Sequence, residues 1–347
     1  RSAMHVREAE ITESPMRRAM AYHRAAELRE NQEKVEEAIE LYNKAIATIP
    51  SFTPSFNAME RLLEKSGNYP RIVLLYQERI YEEKNPTVKV SLMEKTARIL
   101  EERLNQKENA FRVFRDILSV DPANISALGA LIRITAEQEQ WEDHIEFLLK
   151  EADITNDDEH VVDILQRVGE IYEHHLGSEE RAIDTYQRIL TISPFYPHAI
   201  RNLGRIYHRR GAYRELIDLH RSELGTATDP EERSMLLYKM GAILENNLDD
   251  RTQAVSVYRN ALIENPRNMA ASWALYRIYR KDEDWMSILE ILEGEAASIP
   301  EGHQRALAFV RIGELWEESL GRTVMAYDSY NQALRMEPGL SEAREAL

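Results

Sequence analysis

The sequence predicts an all-α chain, an α-solenoid of antiparallel helix hairpins, and three observations carry that expectation. Prolines recur at Pro50, Pro122, Pro194, Pro266 and Pro338, each 72 residues after the last, without insertion or deletion. Side chains of one kind return at the same step and lie four residues apart within each copy, which is the spacing of one helix face. Strand signals are missing: Val, Ile and Thr never alternate with polar residues over a strand length, and no Asn-Gly or Asp-Gly dipeptide occurs. Such repetition overrides any domain count based on length, because a unit too small to bury its own apolar face must stack on its neighbours.

The first face joins Ala38, Ala110, Ala182, Ala254 and Ala326; then Tyr42, Phe114, Tyr186, Tyr258 and Tyr330; then Ile46, Leu118, Leu190, Leu262 and Leu334. A small residue, an aromatic and an aliphatic thus stack at i, i+4 and i+8. Aromatics open another helix at Tyr69, Trp141, Tyr213 and Trp285, with Arg61, Arg133, Arg205 and Arg277 eight residues upstream of each. Glu101, Glu173, Glu245 and Glu317 form a further series, as do Leu104, Leu176, Leu248 and Leu320. A small residue returns at Ala25, Ala97, Gly169, Gly241 and Gly313. Glycine inside a helix costs roughly 1 kcal/mol relative to alanine, so its return implies close approach of a neighbouring helix. The arginine and glutamate series are expected to pair along the array, at roughly 0 to 1 kcal/mol each.

Each copy reads as four helices, clearest from Asp229 onward. One is capped by Asp229, with Pro230 in its first turn, and runs to about Leu248. The second covers Arg251 to Glu264, the third Asn268 to Lys281, and the fourth runs from Trp285 to before Gly294. Short connections force neighbouring helices antiparallel. The sequence therefore predicts about nineteen helices: residues 1–13 as a leader, poorly ordered or starting the first helix, then a continuous array over 14–347. The first residue is Arg and the last copy stops mid-helix after Ala343, so the chain is expected to be part of a longer one, or to stack end to end with another copy.

Composition excludes several functions. The formal charge is −16 and the mean hydropathy −0.51, with 43% apolar residues. A basic field for nucleic-acid backbones is absent, which also disfavours RNA binding by helical repeats. Apolar runs are too short to span a membrane. There is no cysteine, hence no disulfide, thiolate or Cys-held metal. No G-x-G, G-x-x-x-x-G-K, G-x-S-x-G or H-E-x-x-H motif occurs. The adjacent His174 and His175 diverge by about 100° on a helix and do not share a metal. The loop Asp153, Asn156, Asp157, Asp158, Glu159 lacks the glycine and spacing of an EF-hand. Asn124 reads as a helix-start residue. The expectation is a non-enzyme without cofactor or metal, cytoplasmic by default.

These residues resemble the tetratricopeptide repeat family, whose unit of about 34 residues pairs two helices. Gly169, Tyr172, Ala182, Tyr186 and Pro194 match its small, aromatic, alanine, aromatic and proline positions, displaced by one residue in the inter-helix turn. Asn202, Leu203, Gly204, Ile206 and Tyr207 are similar to its first helix, whereas Leu216 and His220 depart from its second. Two hairpin variants therefore alternate, over about Ser14 to Leu347. The resemblance implies a right-handed superhelix of about nine hairpins and a protein-binding scaffold whose first helices line a concave groove. Its alternative implication is a regulatory or targeting array serving an effector domain outside this chain.

Carried onto this sequence, the groove-facing position of successive first helices is Glu94, Gly129, Gln166, Arg201, Tyr238, Trp273 and Val310. It turns basic and aromatic midway. With Arg205, His208, Arg209, Arg277 and Arg280 nearby, Arg201, Tyr238 and Trp273 form a candidate strip for a protein or peptide partner with an acidic or C-terminal segment. Copies share what stacking needs and differ where one partner is recognised. Tyr, Trp and Arg are also the residue types that dominate interface hot spots.

Overall fold

The computed structural model describes residues 1–347, in which twenty α-helices and no strand are found. The chain divides into two compact units, Arg1–Ser178 and Glu179–Leu347. The first holds α1 (Ser2–Ile11), α2 (Pro15–Glu30), α3 (Val35–Thr48), α4 (Thr53–Ser66), α5 (Tyr69–Glu82), α6 (Pro86–Glu102), α7 (Lys107–Val120), α8 (Ile125–Glu137), α9 (Trp141–Ile154) and α10 (Asp158–His174). The second holds α11 (Glu179–Ile192), α12 (Pro197–Arg210), α13 (Tyr213–Leu224), α14 (Pro230–Asn246), α15 (Arg251–Glu264), α16 (Met269–Lys281), α17 (Trp285–Ser298), α18 (His303–Glu314), α19 (Thr323–Met336) and α20 (Ser341–Glu345); α18 continues into a π-helical segment, Leu315–Ser319. Within each unit consecutive helices pack on one another, the contact pattern of an α-solenoid. No helix is long and apolar enough to cross a membrane.

Local chemistry sets the helix ends. Asp229 accepts from the Glu232 amide, Asn268 from Ala271 and Asp284 from Ser287, each satisfying an orphan donor of a first turn. Asn124 does the same for α8, and Asp157 for α10. The N-terminal segment is a helix of its own rather than the start of the next one. Proline at position 15 holds Ser14 extended (φ −73°, ψ 117°), which breaks the helix between Ile11 and Pro15 and raises the count from the nineteen expected to twenty. In the other direction, Gly294 does not end α17, which runs on to Ser298. Burial of Ala296 beyond it outweighs the roughly 1 kcal/mol propensity cost.

The turns come in two alternating kinds, marked by positive φ at Glu33, Gly67, Asn105, Glu139, Gly177, Gly211, Asp249, Glu283 and Gly321. In the shorter kind the amides of Asn68, Gln140, Ala212 and Asp284 reach back five residues, to Leu63, Thr135, Tyr207 and Tyr279. In the longer kind Gln106, Ser178, Asp250 and Arg322 reach back six, to Leu100, Tyr172, Leu244 and Trp316. The first turn of the longer kind is tighter, with Lys34 bonding Arg29. That slips α2 by one residue, so Glu30 takes the place of the glutamate series where the step of 72 arrives at Arg29.

The stacked face is the core. Ala38, Ala110, Ala182, Ala254 and Ala326 are buried, and Tyr42, Tyr76, Tyr186, Tyr258 and Tyr330 are the largest fully buried side chains. A tyrosine of this kind removes about 150–250 Å² from water, worth about 4–6 kcal/mol before ordering costs. Three of the hydroxyls are satisfied by glutamates: Tyr42 donates to Glu30 (2.9 Å), Tyr258 to Glu245 (3.0 Å) and Tyr330 to Glu317 (3.1 Å). Burial, then the adjacent carboxylate, raises the pKa of these three tyrosines, that of Tyr330 to about 12. Arginines two helices on meet the glutamate series: Arg61 on Glu30 (2.5 Å), Arg133 on Glu101 (2.6 Å) and Arg277 on Glu245 (2.6 Å). The aromatics that open α5 and α9 are only half-buried. Tyr69 lies under Arg103, and Trp141 stacks on His175 with ring centroids 3.9 Å apart, so His175 packs on an aromatic rather than standing alone in solvent.

Candidate protein-binding cleft

Three helices of the second unit enclose the cleft where the sequence placed its aromatic change. Its volume is about 730 Å³; the floor is Ala242 of α14 with Ala270 and Ala274 of α16, and Tyr238, Tyr258, Trp273 and Tyr276 form the walls. Asn246, Arg277, Arg280 and Lys281 complete the lining.

Trp273 is 59% exposed and stays out of inter-helix packing, edge-on to Tyr276 at 5.9 Å and 70°. Tyr238 is half-buried and leans on Tyr258 at 5.9 Å. Arg277 does not offer a free cation, because Glu245 holds its guanidinium at 2.6 Å while also accepting from Tyr258. Arg280 and Lys281 are exposed, and neither forms an ion pair. No carboxylate lines the cleft, in a chain of net charge −16. Both cations sit in the last turn of α16, where they oppose the negative end of the helix dipole.

The strip expected from the sequence is thus divided. Tyr238, Trp273, Arg277 and Arg280 meet in this cleft, while Arg201, Arg205, His208 and Arg209 lie along α12 outside it. Arg201 reaches His198 (3.2 Å), Arg205 reaches Asn202 (3.3 Å), His208 is edge-on to Tyr213, and Arg209 pairs with Glu179 at 2.6 Å. Elsewhere in the groove-facing series, Gln166 and Val310 are buried and Glu94 accepts from Asn124. Tyr276 and Lys281 were not singled out from the sequence. Their positions, three residues after Trp273 and one after Arg280, hold the only available signal.

The register-equivalent cleft of the first unit, about 780 Å³, has other chemistry: His5, His23, Arg24, Glu27, Glu30, Asn57 and Arg61 line it with Tyr42, and asparagine stands where the other carries Trp273. Burial lowers the His23 pKa, against the opposing pull of Glu27 and Glu30. A third cleft, between α15, α16 and α17, is apolar, with Leu262, Ile263, Pro266, Leu275 and Ile291 around about 600 Å³.

Comparison with known proteins places this architecture. Residues 19–52 and 199–234 each match tetratricopeptide repeat profiles, and the second covers α12 and α13, the hairpin whose Leu216 and His220 depart from the pattern. The photosystem I assembly protein Ycf3 of Synechococcus sp. (strain CC9311) is 31% identical over 119 residues, 31% of this chain and 68% of that protein. Among solved structures, the C-terminal part of a TPR repeat-containing protein from Cytophaga hutchinsonii aligns over 73% of this chain and 98% of its own, at 16% identity and a TM-score of 0.33. PilF of Pseudomonas aeruginosa aligns over 76% and 98%, at 16% identity and a TM-score of 0.29. With its helix pairs, its buried small–aromatic ladder, the two repeat profiles and the Synechococcus relative, the chain belongs to the tetratricopeptide repeat family.

Proposed function

We propose that the chain is a non-catalytic protein-interaction scaffold that holds a partner protein through an acidic segment in the α14–α16 cleft. One observation carries this reading: an exposed tryptophan beside two uncompensated cations, in a cleft without a carboxylate, on a chain that is otherwise strongly acidic. Leaving a tryptophan in water forgoes its burial energy, and aromatic and arginine side chains supply most of the energy at protein interfaces. Cations on an acidic surface draw an acidic segment to one place and repel it from the rest. The relative named as an assembly protein supports a role in which partners are held while a complex forms.

The test is capture with the whole chain as bait, followed by mass spectrometry, using wild type, Trp273→Ala and Arg280→Glu. A partner retained by wild type and reduced at least tenfold by each variant, with helical content and melting unchanged, supports the cleft. Equal retention by all three removes the cleft from consideration.

A further inference from the structure

We infer that the segment taken by this cleft is an extended one carrying an apolar anchor and an acidic residue three positions apart, Φ-x-x-Asp/Glu; the inference rests on the peptide-binding reading above. Two contacts on α16 set the spacing. Trp273 and Arg280 are seven residues apart, a rotation of about 700°, so they share a face about 10.5 Å apart along the axis. Between them, Arg277 is already matched by Glu245, which leaves the anion subsite at Arg280 and Lys281 rather than midway. The α16 dipole disfavours an anion at that end by about half a charge, and two full cations outweigh it.

Chain geometry then selects the partner's conformation. A β-strand rises about 3.3 Å per residue and presents alternate residues to one side, so same-side pairs fall at about 6.6 or 13 Å, neither matching 10.5 Å. Polyproline II rises about 3.1 Å with three residues per turn, placing i and i+3 on one side about 9.3 Å apart, a difference the long Arg280 side chain absorbs. A helical ligand would need a seven-residue spacing. Polyproline II also leaves the ligand backbone solvated, with its carbonyls open to side-chain donors of the lining such as Asn246 and Tyr276.

The experiment uses the whole chain with ¹⁵N-labelled tryptophan, the Trp273 indole signal being assigned by its loss in Trp273→Phe. The probes are tryptophan-free peptides in a proline-rich host, with leucine and glutamate separated by one, two, three or six residues, and a helical alanine-rich host for the last spacing. The two-residue spacer, Leu-Pro-Pro-Glu, is expected to bind at least fivefold more tightly than the other spacers and than its Glu→Gln version. Arg280→Glu should abolish that preference, and a lysine in place of the peptide's glutamate should restore it. Glutamate-dependent binding indifferent to spacing, or a preference for the helical peptide, overturns the spacing inference and leaves the cleft reading standing. No perturbation of Trp273 by any peptide overturns both.

Discussion

The backbone of Gly241 lies directly against the ring of Tyr258: a Cβ added there would stand 2.5 Å from the tyrosine Cε1. The same relationship joins Gly313 to Tyr330. Each of these tyrosines is held at its far end, with its hydroxyl donating to Glu245 or Glu317, so the ring is not free to swing aside. In the copies with Tyr42 and Phe114 the small-residue series carries Ala25 and Ala97 instead. Gly241→Ala should therefore destabilise by about 1–2 kcal/mol, overpacking outweighing the gain of about 1 kcal/mol in helix propensity. Ala97→Gly should cost about 1 kcal/mol. Urea unfolding gives both values, and Gly241→Ala combined with Tyr258→Phe should recover part of the loss. A neutral Gly241→Ala would show that the glycine is there for another reason.

The same tether gives stability an alkaline pH dependence, and a buried histidine gives it an acid one. Tyr330 is raised from 10.0 to about 12, chiefly by burial and then by Glu317, so its folded value lies above its unfolded one. Its contribution is complete below pH 10 and is lost as pH rises toward 12, at up to about 1.4 kcal/mol per pH unit. Tyr330→Phe should flatten this alkaline limb in urea midpoints measured from pH 9 to 12. At the acid end, His144 is 3% exposed and hydrogen-bonded to Thr135 at 3.0 Å. Burial, and then the charge of Arg167, holds its pKa below 6.5. That contribution is present above pH 6.5 and is lost as pH falls through the folded value. His144→Leu should make stability less sensitive to acid between pH 7 and 5.

Turn chemistry offers a route to a more stable chain. Glu139 and Glu283 hold φ of 55° at the positions where the equivalent turns carry Gly67 and Gly211. A left-handed conformation costs a non-glycine residue roughly 1–2 kcal/mol, against 0.5–1 kcal/mol for the added freedom of glycine when unfolded. Glu283→Gly should thus raise stability by about 0.5–1 kcal/mol and Gly211→Ala should lower it by about 1 kcal/mol, both read from thermal melts.

Much of the fold was legible because it repeats. Ala38, Tyr42 and Ile46 recur in kind at every step of 72, and one helical face accounts for all three. Packing gave that face away, and it also explains where legibility stops. Residue 29 falls on the glutamate series by arithmetic, yet Glu30 bonds Tyr42 and Arg61, because a single turn hydrogen bond from Lys34 shifts α2. In the candidate cleft, Trp273 and Tyr238 stand out as departures from the repeat. Which arginine remains free depends on Glu245 reaching across helices to Arg277, and no spacing rule encodes that contact. Arg201 and Arg209 have the right composition but lie on α12, outside the enclosed volume. Ile263 is 78% exposed at the edge of an apolar cleft, and in sequence it is one more aliphatic beside Leu262.

Arg277 and Arg280 sit three residues apart on one helix, and of the two only Arg277 has an ion-pair partner. Arg277 is paired with a glutamate side chain that is 17% exposed, which also takes the Tyr258 hydroxyl. Removing it leaves Glu245 with one partner fewer, so Arg277→Ala should lower stability by up to about 1 kcal/mol, the upper range for a partly exposed pair. Partner affinity should change little. Arg280 has no such partner, so Arg280→Ala should leave the urea midpoint within about 0.5 kcal/mol of wild type while weakening the captured partner about tenfold. Raising salt should mimic Arg280→Ala more closely than Arg277→Ala, because an exposed cation is screened over about 10 Å at 0.1 M ionic strength. The two measurements, unfolding and partner affinity on the same two variants, cross over if the roles are as assigned. Parallel losses in both would mean that Arg280 is structural, and that the cleft's remaining attraction for an acidic segment rests on Lys281 alone.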